Sequence, residues 1–218
     1  MITILQHGEH EPAGIVEECL VARNEPFRIL RLYEGDALPD DPPGRLIVLG
    51  GQMSVNDESM YPFLAPEKAL VRKAIARDAT VLGICLGTQM IAAACGKKVC
   101  VGEKELGWRT ITGCNAPGHR FFPGQFEVFH WHKETFDLPE GARLLATGTA
   151  VKNQAFLLGH ALGVQFHPEV TEPVIAFWAK DLGDHERLAM MKDTATKTDG
   201  NRVLCDAIVN AFLNDWKM

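Results

Sequence analysis

The chain has 218 residues, 46% of them hydrophobic and 23% charged, with a formal net charge of -6. That length fits one domain over residues 1–218 with a full core, the composition is ordinary for a globular protein, and the acidic balance argues against a nucleic-acid partner. The amino-terminal stretch MITILQHGEHEPAG has no secretory signal and no apolar run approaches the ~20 residues of a membrane helix, so a cytoplasmic protein without a membrane partner is expected.

In chain order, Met1 to Leu5 reads as a buried strand and Gln6 to Pro12 as a polar loop. Ile15, Val16, Cys19, Leu20 and Ala22 recur at helical spacing, predicting a helix over 13–23. Pro26 opens a second strand, PFRILRL. The acidic, turn-rich stretch 33–44 reads as a loop. A third strand, Arg45 to Leu49, ends in Gly50-Gly51, where backbone can approach a ligand. A helix follows over about 66–78, and then the apolar run TVLGI leads to Cys85, Gly87 and another helical segment.

Apolar strands alternating with helices predict an α/β fold with a doubly wound, mostly parallel open sheet and flanking helices. Ligands of such sheets bind at the carboxyl ends of the strands, where Gly51 and Cys85 fall. After Gly96 come shorter strands: KKVCVGE, ELGWRTITG, QFEVFHWH, ARLLATG, NQAFLLG and ALGVQFH. They predict a smaller mixed or antiparallel layer on the parallel core. Residues 173–180 return to helix, 183–201 read as a polar loop flanked by helix, and 202–216 have the spacing of a closing helix.

Six cysteines show no C-x-x-C pair and no zinc spacing, so most are expected to be reduced packing residues. Cys85 differs. It lies in the pattern G-x-Cys-x-G between strand and helix, where glycines allow the turn that lifts a nucleophile above a sheet edge. A helix N-terminus also favours the reactive thiolate. Its base would come from GVQFHPE: in extended chain His167 and Glu169 can share a face, so Glu169 could orient the imidazole. The amide N–H groups of Leu86 and Gly51 are candidate oxyanion donors.

Taken singly, each of these features is also what packing, turns or a helix start would produce. Their joint placement at strand ends favours the chemical reading. His130 and His132 can share a strand face, but no third ligand stands nearby in sequence, so no metal is expected. Trp108 and Trp178 read as core residues.

Together the motifs resemble the class I, triad-type glutamine amidotransferases, and are most similar to stand-alone proteins related to the amidotransferase domain of GMP synthase. The matching stretches are Gly50-Gly51-Gln52-Met53-Ser54-Val55, Gly83-Ile84-Cys85-Leu86-Gly87-Thr88-Gln89, Glu105-Leu106-Gly107-Trp108, Phe129-His130-Trp131-His132 and Gln165-Phe166-His167-Pro168-Glu169. The resemblance implies that Cys85 attacks the side-chain amide of glutamine to give a γ-glutamyl thioester and ammonia, with His167 as base and then acid. It implies no cofactor. It also implies a glutamine pocket lined by Gly50, Gly51, Leu86 and Gln89, with the backbone at Trp131 and His132 holding the amino acid's charged groups.

Two departures stand out. Gln52 replaces a proline common in the family, and Lys133-Glu134 replace Gly-Asp beside the expected substrate contact. With no G-x-x-x-x-G-K-[ST] loop and no space for a synthetase domain, the ammonia would go to a separate synthetase or acceptor subunit, or the protein acts alone. The alternatives are a γ-glutamyl peptide hydrolase with the same chemistry and a non-catalytic regulatory module on the same fold.

Overall fold

The computed structural model describes residues 1–114, 122 and 124–216. Along the chain run β1 (Ile2–Gln6), α1 (Ile15–Ala22), β2 (Phe27–Arg31), β3 (Arg45–Val48), α2 (Leu64–Ala76), β4 (Thr80–Ile84) and α3 (Leu86–Ala94). There follow β5 (Val99–Gly113), β6 (Gln125–Phe136), β7 (Arg143–Thr147), β8 (Ala155–Leu158), β9 (Ala161–Val164), α4 (Glu172–Trp178) and α5 (Asp184–Leu213). The strands form one sheet in the order β2-β1-β3-β4-β9-β8-β7-β5-β6. From β2 to β9 the pairing is parallel, and from β9 to β6 it is antiparallel. The expected antiparallel layer is therefore the continuation of the parallel sheet.

Period-two alternation along the parallel strands sorts their side chains onto two apolar faces. Ile4, Ile47, Leu82 and Ile84 pack with Ile15, Val16 and Leu20 of α1 and Ile208, Val209 and Phe212 of α5. Leu5, Leu46, Val48 and Val81 pack on the other face with Leu70 and Val71 of α2 and Met90 and Ile91 of α3. Both faces are covered, as parallel strands apolar on both sides require. Each fully buried Leu, Ile or Val contributes about 1.5–3 kcal/mol of transfer free energy. Pro66 sits in the first turn of α2, where the missing N–H costs no helical hydrogen bond.

Three local expectations need correction. KKVCVGE and ELGWRTITG are one strand, β5, whose pairing with β6 shifts register between Val101 and Glu105; the bulge absorbs what looks like a turn in the sequence. Residues 184–201 are helical and belong to α5, with Gly183 as its N-cap. The buried positions Met190, Thr194, Asn201, Cys205, Ile208 and Phe212 run along one side of α5, but two of the first three are polar, so the apolar period is hidden over its first half. Gln6 and His7, read as the start of a polar loop, are buried.

Candidate active site

β4 and α3 meet at Cys85, whose backbone has φ 50° and ψ -103°. Such a conformation is rare for a residue with a side chain and persists only where the surroundings enforce it. The flanking glycines provide the enforcement. A Cβ on Gly87 would stand 2.0 Å from the Val48 carbonyl oxygen, and one on Gly83 would stand 2.6 Å from the Gly87 carbonyl. Backbone thus packs on backbone at this turn. The Cys85 N–H donates to the Val164 carbonyl at 2.9 Å. The Thr88 hydroxyl lies 2.8 Å from the Gly83 carbonyl and 2.6 Å from that of Val164, tying α3 to β4 and β9.

His167 follows β9, the strand beside β4. Its N–H donates to the Phe129 carbonyl at 2.8 Å, and its Nδ1 lies 2.7 Å from Glu169 Oε1. Nε2 has no hydrogen-bond partner among the described residues, leaving it as the nitrogen available to Cys85. Burial pulls the imidazole down, but the charges of Glu169 and then Cys85, with the hydrogen bond to Glu169, outweigh burial and raise it to about 10.

Neighbouring elements hold this pair. The Ile15 N–H donates to the Glu169 carbonyl at 2.9 Å, and Gly14, at φ 51°, passes so close that a Cβ there would stand 2.2 Å from the same oxygen. From α5, Asn201 Nδ2 donates to the carbonyls of Pro168 at 2.9 Å and His167 at 3.4 Å. Trp178 meets the His167 ring at a centroid distance of 5.0 Å, nearly edge-on, and donates its indole N–H to the His10 carbonyl at 2.8 Å. Trp108 is the core residue expected, but Trp178 is only half-buried and walls the cavity.

A cavity of about 650 Å³ opens above Cys85, with Gly51, Gln89, Trp131, His132 and His167 in its wall. Gly50 and Leu86 stand behind that wall: a Cβ on Gly50 would lie 3.0 Å from His167 Cε1 and 3.7 Å from Cys85 Cβ, and the Leu86 side chain is buried. At Gly51 a Cβ would stand 2.7 Å from both Leu86 Cδ2 and Met53 Sδ, so a side chain there requires those two to move. Leu86 is the first residue of α3, where backbone N–H groups have no partner within the helix.

Gln165, absent from the candidate residues, also reaches Cys85. Its Nε2 lies 3.6 Å from Cys85 Sγ, and its Oε1 accepts from Gln89 Nε2 at 3.3 Å. Gln89 Nε2 also lies 3.3 Å from the Glu134 carbonyl. Gln89 thereby turns the Gln165 amide so that its NH₂ faces the sulfur. The period-two face shared by Gln165, His167 and Glu169 carries the signal for this residue. Lys133 and Glu134 both line the cavity.

The expectation that no third ligand accompanies His130 and His132 is overturned. Glu105 is the cross-strand partner of His132, and Glu105 Oε2 lies 3.2 Å from His132 Nε2 and 3.6 Å from His130 Nδ1. These three atoms could hold a divalent cation. Each already has a protein partner: Gln154 Nε2 donates to Glu105 Oε2 at 2.8 Å, and the two imidazoles face each other at 3.2 Å. Burial pushes His130 down to about 3, so it is neutral at physiological pH. Hydrogen bonding within the set accounts for its geometry.

The glutamine amidotransferase class-I family profile matches residues 16–174. The glutamine amidotransferase-like protein YfeJ of Salmonella typhimurium is 30% identical over 204 residues, covering 87% of this chain and 85% of that protein. A GMP synthase (glutamine-hydrolyzing) of Thermomicrobium roseum is 32% identical over 147 residues, covering 63% of this chain and 26% of that enzyme. Among solved structures, a glutamine amidotransferase from Thermotoga maritima superposes with a TM-score of 0.88 at 29% identity, over 97% of both chains. No helix among the described residues is long and apolar enough to cross a membrane.

Proposed function

The chain belongs to the class I glutamine amidotransferase family, and on that premise we propose that it hydrolyses the side-chain amide of glutamine through a γ-glutamyl thioester on Cys85. The observation that carries this reading is the buried His167, bound to Glu169 at 2.7 Å and raised to about 10 by the charges of Glu169 and Cys85 against the pull of burial. A His167 imidazolium beside a Cys85 thiolate is the reactive state of a cysteine hydrolase.

The thiolate attacks the amide carbon, and the carbonyl oxygen takes up negative charge between the N–H groups of Gly51 and Leu86. Losing one such donor typically costs about 100- to 1,000-fold in rate. Collapse of the intermediate breaks the C–N bond, and the imidazolium protonates the departing nitrogen to give ammonia. His167, now neutral, removes a proton from water, which attacks the thioester. Expulsion of the thiolate releases glutamate and restores the starting pair. Glu169 keeps the imidazole in one orientation throughout, and the Gln165 NH₂ stabilises the sulfur whenever it is anionic.

Gln89, Gly50 and the backbone at Trp131 and His132 serve substrate binding. Residues 1–218 act as one cytoplasmic domain, and the ammonia goes to a separate synthetase or acceptor subunit, or the protein acts alone. A second reading, hydrolysis of a γ-glutamyl peptide or amide, draws on the cavity: about 650 Å³ lies within the range of roughly 300–1,000 Å³ typical of drug-sized ligands.

An electrophilic glutamine analogue should label Cys85 alone, and Cys85→Ala should abolish labelling. Label on another residue, or equal label on the variant, would overturn the assignment. Rates of release from glutamine and from γ-glutamyl dipeptides then separate the two substrate classes.

A further inference from the structure

The peptide joining Gly50 to Gly51 is held from outside by a buried pair on two other elements. His7 follows β1 directly and Glu67 lies on α2; both side chains are wholly inaccessible to solvent. His7 Nδ1 lies 3.0 Å from the Gly50 carbonyl oxygen, and His7 Nε2 lies 2.8 Å from Glu67 Oε1. Both neighbours are hydrogen-bond acceptors. A neutral imidazole carries only one N–H, so donating to both requires the imidazolium, with Glu67 as its counter-ion. Glu11 adds negative charge nearby, and the Phe63 ring packs at a centroid distance of 6.1 Å.

A buried ion pair is costly to desolvate, and an apolar pair of the same volume often stabilises a fold as well or better. What an apolar pair cannot do is hold a carbonyl. The Gly50 C=O and the Gly51 N–H belong to one planar trans unit and point in opposite directions. Pinning the carbonyl on His7 therefore fixes the N–H on the far edge, away from His7. Glycine on both sides of this peptide leaves little else to stop the plane from turning over.

We propose that His7 and Glu67 are positioning residues that set the Gly50–Gly51 peptide so that its N–H faces the reacting amide oxygen. The inference rests on the reading of Gly51 as an oxyanion donor. His7 touches neither substrate nor sulfur; it acts through the backbone.

The test compares wild type with His7→Phe, which removes both nitrogens, and with His7→Asn, whose side-chain NH₂ can replace the Nδ1 donor. In His7→Phe, kcat for glutamine hydrolysis should fall about 100-fold or more, with KM changed by less than about threefold. Alkylation of Cys85 by iodoacetamide needs no oxyanion donor and should keep its rate. His7→Asn should recover kcat to within about tenfold of wild type. A crystal structure of His7→Phe should show the 50–51 peptide turned.

An unchanged kcat, a parallel loss of alkylation and hydrolysis, or an unturned peptide would each overturn the proposal. His7→Ala replaces the phenylalanine variant if that variant does not fold. If wild type hydrolyses neither glutamine nor γ-glutamyl dipeptides, the hydrolase reading fails by itself, and the peptide orientation in the variant crystal decides the positioning claim.

Discussion

Glu169 Oε1 stands 2.7 Å from His167 Nδ1 in a site where both side chains are buried. The carboxylate accepts a hydrogen bond from Nδ1–H, and in the proposed mechanism this leaves Nε2 to exchange protons with Cys85 and the substrate. Glu169→Gln keeps the shape but can offer its NH₂ to Nδ1, favouring the wrong tautomer. Steady-state kinetics should show kcat lowered by about 100- to 10,000-fold with little change in KM. A variant with near-normal kcat would remove Glu169 from the reaction.

The protonation of His167 should depend on Cys85. Its value of about 10 in the folded protein, against 6.5 for the free side chain, means that the folded state keeps a proton the unfolded chain releases across that interval. Stability from this group is therefore complete below about pH 6.5 and is lost as pH rises through about 10. NMR of the imidazole nitrogens should show an imidazolium well above neutrality in wild type and a lower titration in Cys85→Ser. Titration of the wild-type ring near 6.5 would contradict the ion pair.

Two glycine substitutions should act in opposite directions. A Cβ on Gly87 meets the Val48 backbone at 2.0 Å, whereas one on Gly200, within α5, meets nothing within 4 Å. Gly87→Ala should destabilise by about 1–3 kcal/mol or more, because backbone must move. Gly200→Ala should stabilise by about 0.5–1 kcal/mol, because it improves helix propensity without a clash. Urea denaturation of both variants measures the contrast.

Asn201 links α5 to the site. Asn201→Ala leaves the Pro168 carbonyl without its 2.9 Å donor in a buried place and should cost about 1–3 kcal/mol in chemical denaturation. It should also slow Cys85 labelling by a glutamine analogue, since the released carbonyls belong to the segment carrying His167. A loss of stability with unaltered labelling would confine Asn201 to a packing role.

Much of this architecture is legible from local pattern. The apolar runs of β1, β3 and β4 place their residues on two faces by simple alternation, and the glycines around Cys85 announce a tight turn because few other residues fit one. His167 and Glu169 are readable as a pair because two residues apart in extended chain means one face. Residues 183–201 are not legible in this way: Thr194 and Asn201 occupy the buried side of α5, and their polarity masks the helical period. Their reason for being there is visible only in space, where Thr194 accepts from the Trp108 indole at 3.0 Å and Asn201 donates to the loop carrying His167.

The sequence by itself determined which side chains could do chemistry and the order of strands and helices that delivers them, since both depend on residue type and short-range spacing. Only the tertiary structure decided which distant groups meet: Gln165 against Cys85, Glu105 between His130 and His132, and His7 with Glu67 behind the Gly50 carbonyl. Those meetings depend on strand order and on the register of β5 with β6. Both are set by burial of the whole sheet, which no short window of sequence contains.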